Sequence, residues 1–197
     1  MSGLCGDVHD AGQGSGRGGK EIGWWGLPVG RSPSRRSRKT LVDLFLDALK
    51  DVYHAEKQVL RALPKLAKAE ESDQVRQALE KHRDETEVQI ERLEQVFEML
   101  EKPARGKTCE AVQGLVEESK DLMQDFKDSE ALDAALIAAQ QSVEHYEISR
   151  YGTLRTWAGQ LGMKRAVKLL EQTLQEEKKT DELLTQLAEA AVNLKAA

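Results

Sequence analysis

From Leu41 onward the apolar residues return every three or four positions, a spacing that commits the chain to amphipathic α-helices. In the first stretch they stand at Leu41, Phe45, Leu49, Val52, Val59 and Leu63. Thr40 precedes them with Asp43 three residues on, the pattern of a capping box. The spacing predicts a helix over 41–71, kinked where Pro64 cannot bond back to the carbonyl of Leu60. A second helix is expected from Ser72 to just before Pro103, striped by Val75, Leu79, Leu93, Val96 and Leu100. A third is expected from about Ser129 to before Gly162, and a fourth from Met163 onward. Short links at Glu71–Ser72 and Gly159–Gly162 pair these helices into two antiparallel hairpins. The long connection, residues 102–128, holds a shorter amphipathic stretch from Cys109 to Phe126 with Thr108 as its cap. The expected architecture is all-α: a four-helix bundle of two hairpins joined by a crossover that carries a short extra helix.

Glycine divides the chain in two, because ten of the 15 glycines fall in residues 1–39. That segment carries seven Lys/Arg against three Asp/Glu, so the part from residue 40 carries a net charge of −9 within the total of −5. Such a composition buries too little apolar surface to offset ordering entropy, so 1–39 is read as a disordered tail and 40–197 as the folded domain. Its basic run, Arg31, Arg35, Arg36, Arg38 and Lys39, offers only a weak handle for nucleic acid, and no nucleic-acid partner is expected. No stretch has the ~20 apolar residues of a membrane helix, so no membrane partner is expected either. Cys5 and Cys109 make neither a disulfide framework nor a thiolate metal site, which fits a reducing cytoplasm.

The chemistry stands where the stripes are interrupted. Glu56 fills the missing position between Val52 and Val59. In the second helix the gap holds His82, Glu85 and Gln89. Glu144 and Glu147 follow Val143 in the third helix, and Glu177 and Asp181 lie between Leu174 and Leu184 in the fourth. Glu56 and Glu85 are 29 residues apart and Glu147 and Glu177 are 30 apart, as if each hairpin supplied half a site. All sit near the middle of their helices, so four antiparallel rods bring them to one level. Buried unpaired carboxylates are costly, and a pair of divalent cations would neutralise four of them. Oxygen-rich donor sets with few nitrogens suit iron or manganese better than zinc. The candidate ligands are therefore Glu56, Glu85, Glu147 and Glu177, then Asp181, Glu144 and His82. Glu85 and Glu177 are expected to bridge the ions, with Gln89, Tyr53 and Tyr146 as supporting neighbours.

The stretches TLVDLFLDALKDVYHAEKQVLRALPKLAKA, HRDETEVQIERLEQVF, VEHYEISRYGTL and EEKKTDELL resemble the YciE/YciF family of bacterial ferritin-like stress-response proteins over about residues 40–190. The resemblance implies a ferritin-like four-helix bundle, a homodimer, a dinuclear metal site and a role in stress response. The chain departs from the wider ferritin-like pattern of ExxH in the second and fourth helices. Here His82 comes three before Glu85, and Asp181 stands where a histidine would. The function expected is a di-iron or dimanganese protein that reacts with peroxide or O₂ or oxidises ferrous iron. The alternative is a non-catalytic helical bundle that dimerises or binds a partner without a metal.

Overall fold

The structure is a computed structural model that describes residues 38–197. The expected tail, with its basic run as far as Arg36, lies outside the described residues. Five helices follow: α1 Leu41–Ala69, α2 Asp73–Met99, α3 Glu110–Asp125, α4 Leu132–Gln160 and α5 Lys164–Leu187. A π-helical turn, Ala188–Val192, and a last turn, Asn193–Ala196, extend α5. The described residues contain no strand, and no helix among them is long and apolar enough to cross a membrane.

Local chemistry sets the ends. Thr40 and Asp43 close the expected capping box: the Thr40 amide donates to Asp43 Oδ2 at 2.7 Å, and the Asp43 amide donates back to Thr40 Oγ1 at 3.4 Å. The Ser72 hydroxyl caps α2 by accepting from the Val75 amide at 3.4 Å. Between α4 and α5, Gly162 adopts φ +73°, and the Met163 amide reaches the Ala158 carbonyl at 2.9 Å in a Schellman turn. Two boundaries differ from the expectation. Thr108 does not cap α3, which starts after Cys109 with no side-chain cap. The third long helix begins at Leu132 rather than Ser129; residues 129–132 instead form a tighter turn, in which the Leu132 amide donates to the Ser129 carbonyl at 3.0 Å.

Helix α1 packs on α2 and α4, and α5 packs on α4 and α2, so the four long helices form a ring. Helix α3 runs up the outside against α1 and α4. It returns the chain from the end of α2 to the level where α1 ends, so every neighbouring pair in the ring is antiparallel. The crossover hugs α1 closely. The Lys107 amide donates to the Lys50 carbonyl at 3.0 Å, and a side chain at Gly106 would press to 3.1 Å from His54 Cβ.

Each ring helix turns one seam inward at alternating steps of three and four. Phe45, Leu49, Val52, Glu56, Val59, Leu63 and Leu66 are the buried seam of α1. Val75, Leu79, His82, Thr86, Gln89, Leu93 and Val96 are that of α2. This 3.5-residue step is the signature of left-handed bundle packing. The core it builds comes in two parts. One cluster gathers Leu63, Leu79, Leu136, Ile137 and Leu184; the other gathers Phe45, Leu93, Phe97, Leu154 and Leu170. Between them lies a polar layer.

Where α1 turns into α2, Asp133 of α4 accepts from the amides of Glu71 at 2.8 Å and Ser72 at 2.9 Å. Neither oxygen of the buried Glu70 has a hydrogen-bond partner among the described residues, which favours the protonated acid there. Burial, then the neighbouring Asp133 carboxylate, pushes Glu70 up to about 9. A carboxyl whose folded pKa is raised contributes stability that is complete below its unfolded value near 4.5 and is lost as pH rises through about 9. Thermal unfolding between pH 5 and pH 10 is expected to show that decline, with a slope of at most about 1.4 kcal/mol per pH unit from this group. Glu70→Gln should make the decline shallower by this group's share, the buried carboxyls of the core keeping theirs; an unchanged pH profile in that variant would show that Glu70 is ionised in the fold.

Candidate metal centre

The polar layer is built from seam positions of all four ring helices. Glu56 comes from α1, His82 from α2, Glu144 and Glu147 from α4, and Glu177 from α5. All five are essentially closed to solvent. His82, Glu144, Glu147 and Glu177 each offer one donor atom, and these four atoms lie within 4.8 Å of one another. Donors about 2.1 Å from a single ion stand at most about 4.2 Å apart, so these side chains would draw in by a few tenths of an ångström to share one cation.

The layer is short of hydrogen-bond donors. Glu147 and Glu177 have no partner on either oxygen, and Glu56 Oε2 and Glu144 Oε2 have none. Among the described residues, two donors reach in. Gln140 donates from Nε2 to Glu144 Oε1 at 2.7 Å, and the Tyr151 hydroxyl donates to Glu56 Oε1. His82 Nε2 stands 3.4 Å from Glu144 Oε1, beyond a good hydrogen bond. Burial pushes the Glu56 carboxyl up to about 8, against the pull of the Tyr151 hydrogen bond, with Glu144 and Glu176 adding repulsion. Burial, then the neighbouring carboxylates, raises Glu147 and Glu177 well above the ordinary range. The Tyr151 phenol is raised in turn, by burial first and then by Glu56 and Glu177. So many donor-free oxygens around one imidazole fit cations, and they fit oxygen-preferring ones.

Two expected ligands stand elsewhere. Glu85 keeps a quarter of its side chain in water and is bonded by Lys81 Nζ at 2.7 Å. Asp181 lies at the surface of the α4–α5 seam, where Gln141 donates to Oδ1 at 3.0 Å and His145 Nε2 lies 3.2 Å from Oδ2. The physical reason is register. The seam of α2 steps from His82 to Thr86 to Gln89, and Glu85 is one position short of it; the seam of α5 steps from Glu177 to Thr180 to Leu184, and Asp181 is one position past it. The 29- and 30-residue echo between hairpins therefore does not extend into the centre at α2, where His82 supplies the donor instead.

The expected supporting residues also divide. Gln89 is buried in the layer and donates to Glu176 at 3.3 Å. The Tyr53 hydroxyl is taken by Glu94 at 2.7 Å, and the Tyr146 hydroxyl by Asp51 at 2.8 Å beside Cys109 Sγ at 3.0 Å. The phenol that does reach the layer is Tyr151, unremarked among the candidates, with Gln140 as a second such residue. Seam continuation would have found both: Gln140, Glu144, Glu147 and Tyr151 follow one another at steps of four, three and four.

Residues 40–197 match the family described as Domain of unknown function (DUF892). The chain is 50% identical over 159 residues to Protein YciF of Escherichia coli, covering 80% of this chain and 96% of that one. The crystal structure of the E. coli stress protein YciF superimposes with a TM-score of 0.75 at 49% identity, over 79% of this chain and 98% of the other. YcfI from Rhodopseudomonas palustris superimposes with a TM-score of 0.73 at 42% identity, over 77% and 96%. A Xanthomonas campestris protein at 23% identity and a TM-score of 0.59 shares the fold.

A layer that is tolerable only when neutralised should gain from losing a carboxylate when no cation is present. In EDTA, Glu177→Met is expected to raise stability by about 1–3 kcal/mol. Glu85→Met, at the surface, should stay within about 0.5 kcal/mol. Denaturant melts measure both, and a destabilised Glu177→Met would show that the metal-free layer is already satisfied.

Proposed function

We propose that this chain, which belongs to the DUF892 family, holds a pair of iron or manganese ions in the layer of Glu56, His82, Glu144, Glu147 and Glu177. The observation that carries the reading is the convergence of donor-free carboxylate oxygens from α4 and α5 on the His82 imidazole of α2, with the buried Glu56 of α1 adding a further donor-free oxygen. His82, Glu144, Glu147 and Glu177 would hold one ion; Glu56 and the second oxygens of the α4 and α5 glutamates supply donors for the other. Two divalent ions balance the four carboxylates, and a single imidazole among them favours harder cations over zinc. The identity to the E. coli stress protein YciF supports a place in stress response.

When bound, such ions supply one-electron chemistry toward peroxide or dioxygen, or a site where ferrous iron is oxidised. The chain's own residues set the conditions. The two apolar clusters above and below the layer keep bulk water out and strengthen every charge interaction within it. Gln140 orients Glu144, fixing which oxygen faces the imidazole. Tyr151 holds its proton at Glu56 Oε1, a proton source in an otherwise donor-poor layer.

A second reading keeps the layer metal-free, with carboxyls retaining their protons, as the elevated Glu56 allows near neutral pH. In that case the bundle is a non-catalytic structural or partner-binding protein. Metal analysis of protein purified without chelator separates the two. About two equivalents of iron or manganese per chain are expected, lost in Glu147→Ala/Glu177→Ala and retained in Glu85→Ala. Protein that is metal-free as isolated and takes up neither ion on titration establishes the second reading. Loaded protein is further expected to consume hydrogen peroxide, followed by oxygen release, and the double variant to lose that activity.

A further inference from the structure

The α2–α5 seam holds a polar chain that core packing does not explain. Arg92 of α2 grips Glu176 of α5 with two bonds, Nη1 to Oε2 at 2.5 Å and Nη2 to Oε1 at 2.8 Å. Arg92 Nη1 also donates to Thr173 Oγ1 at 3.2 Å. Gln89, just under one turn before Arg92, donates to the same Glu176 carboxylate at 3.3 Å. Exposure falls along this chain: Glu176 keeps 24% of its side chain in water and Arg92 17%, whereas Gln89 is 1% exposed. The inner end is unfinished, because Gln89 Oε1 has no donor. A buried acceptor without a partner is destabilising, and a leucine here would continue the seam without that cost.

The position of the chain is informative. Gln89 shares the buried seam of α2 with His82, and Glu176 immediately precedes Glu177. Arg92 lies in the field of Glu177, and Glu176 in turn adds to the repulsion felt by Glu56. The seam thus sets polar groups between solvent and the side of the bundle that carries His82 and Glu177. The α4–α5 seam is polar too, but there both Asp181 oxygens are engaged, Oδ1 by Gln141 at 3.0 Å and Oδ2 beside His145 Nε2 at 3.2 Å.

We infer that the α2–α5 seam is the route by which a divalent cation reaches the centre, with Glu176 as outer oxygen, Gln89 Oε1 as inner oxygen and Arg92 as the latch that holds Glu176 closed. The inference rests on the metal-binding reading above. A dication shedding its water needs an oxygen at each step, since apolar residues offer nothing in exchange for hydration. Glu176 supplies charge at the mouth. The neutral amide oxygen of Gln89 passes the ion on without trapping it, and Glu177 receives it. The guanidinium and the cation take turns on one carboxylate, so Glu176 is neutralised before and after passage. No covalent bond changes; only coordination is exchanged.

The test is stopped-flow uptake of Co²⁺ alone by chelator-stripped protein, read by its visible absorption, with release to EDTA as the reverse measurement. Arg92→Gln unlatches Glu176 and is expected to speed uptake and release at least about fivefold, with the same final metal content. Glu176→Gln leaves the arginine charge in the seam without its carboxylate, and is expected to slow uptake by at least about fivefold. Arg155→Gln, which removes the Arg155–Glu171 pair at 2.7 Å between α4 and α5, is the control and should keep the unsubstituted rates. Unsubstituted rates in both Arg92→Gln and Glu176→Gln, at full metal content, overturn the route. An equal acceleration in Arg155→Gln also overturns it, because general loosening of the bundle then explains the effect. An unsubstituted chain that takes up no Co²⁺ overturns the metal centre itself, so the two failures are told apart.

Discussion

The structure depends on the mutual repulsion of four carboxylates closed off from water between two apolar clusters. Glu56, Glu144, Glu147 and Glu177 bring at most two hydrogen-bond donors with them, from Gln140 and Tyr151. An isolated buried carboxylate is unfavourable by several kcal/mol, and like charges at close range add to that. The layer exists only if protons or cations are supplied. Burial holds three of the four carboxyls above their ordinary range, which is the physical form of that demand.

The rest of the bundle serves to keep that layer assembled. The seams above and below it are apolar and tightly stepped, so the unfavourable layer is held by the packing of Phe45, Leu93 and Leu154 on one side and Leu63, Leu136 and Leu184 on the other. Asp133 pins the start of α4 to the turn between α1 and α2, which fixes the height at which Glu144 and Glu147 meet Glu56. The crossover makes this possible. By climbing outside α1 and α4 it lets α4 descend beside α1, and every neighbouring pair in the ring becomes antiparallel. Antiparallel helices of similar length share their midpoints, and the layer sits there.

The donor set is lopsided. Helix α4 contributes two carboxylates, α1 and α5 one each, and α2 the imidazole. A nitrogen on one side of the layer makes its two ends chemically different, and it leaves the α2–α5 side with Gln89, Arg92 and Glu176 where another ligand would close the ring.

The sequence alone determined the helices, the two hairpins and most of the buried layer, because a charged residue at a seam position breaks an apolar period in a way that can be read along the chain. Glu56 between Val52 and Val59 is the clearest case. The family resemblance was legible for the same reason, in Pro64 and the acidic seam positions. Tertiary structure decided what one residue of register controls. Glu85 and His82 are three apart, about 60° around a helix of 3.6 residues per turn, so both look inward on an isolated wheel. Packing against neighbours selects the 3.5-residue step, which keeps His82 and Thr86 and turns Glu85 to Lys81 and water. Asp181 fails by the same one-residue margin. The Tyr151 contact to Glu56 and the grip of Arg92 on Glu176 join residues 95 and 84 positions apart, and local sequence carries no record of such pairings.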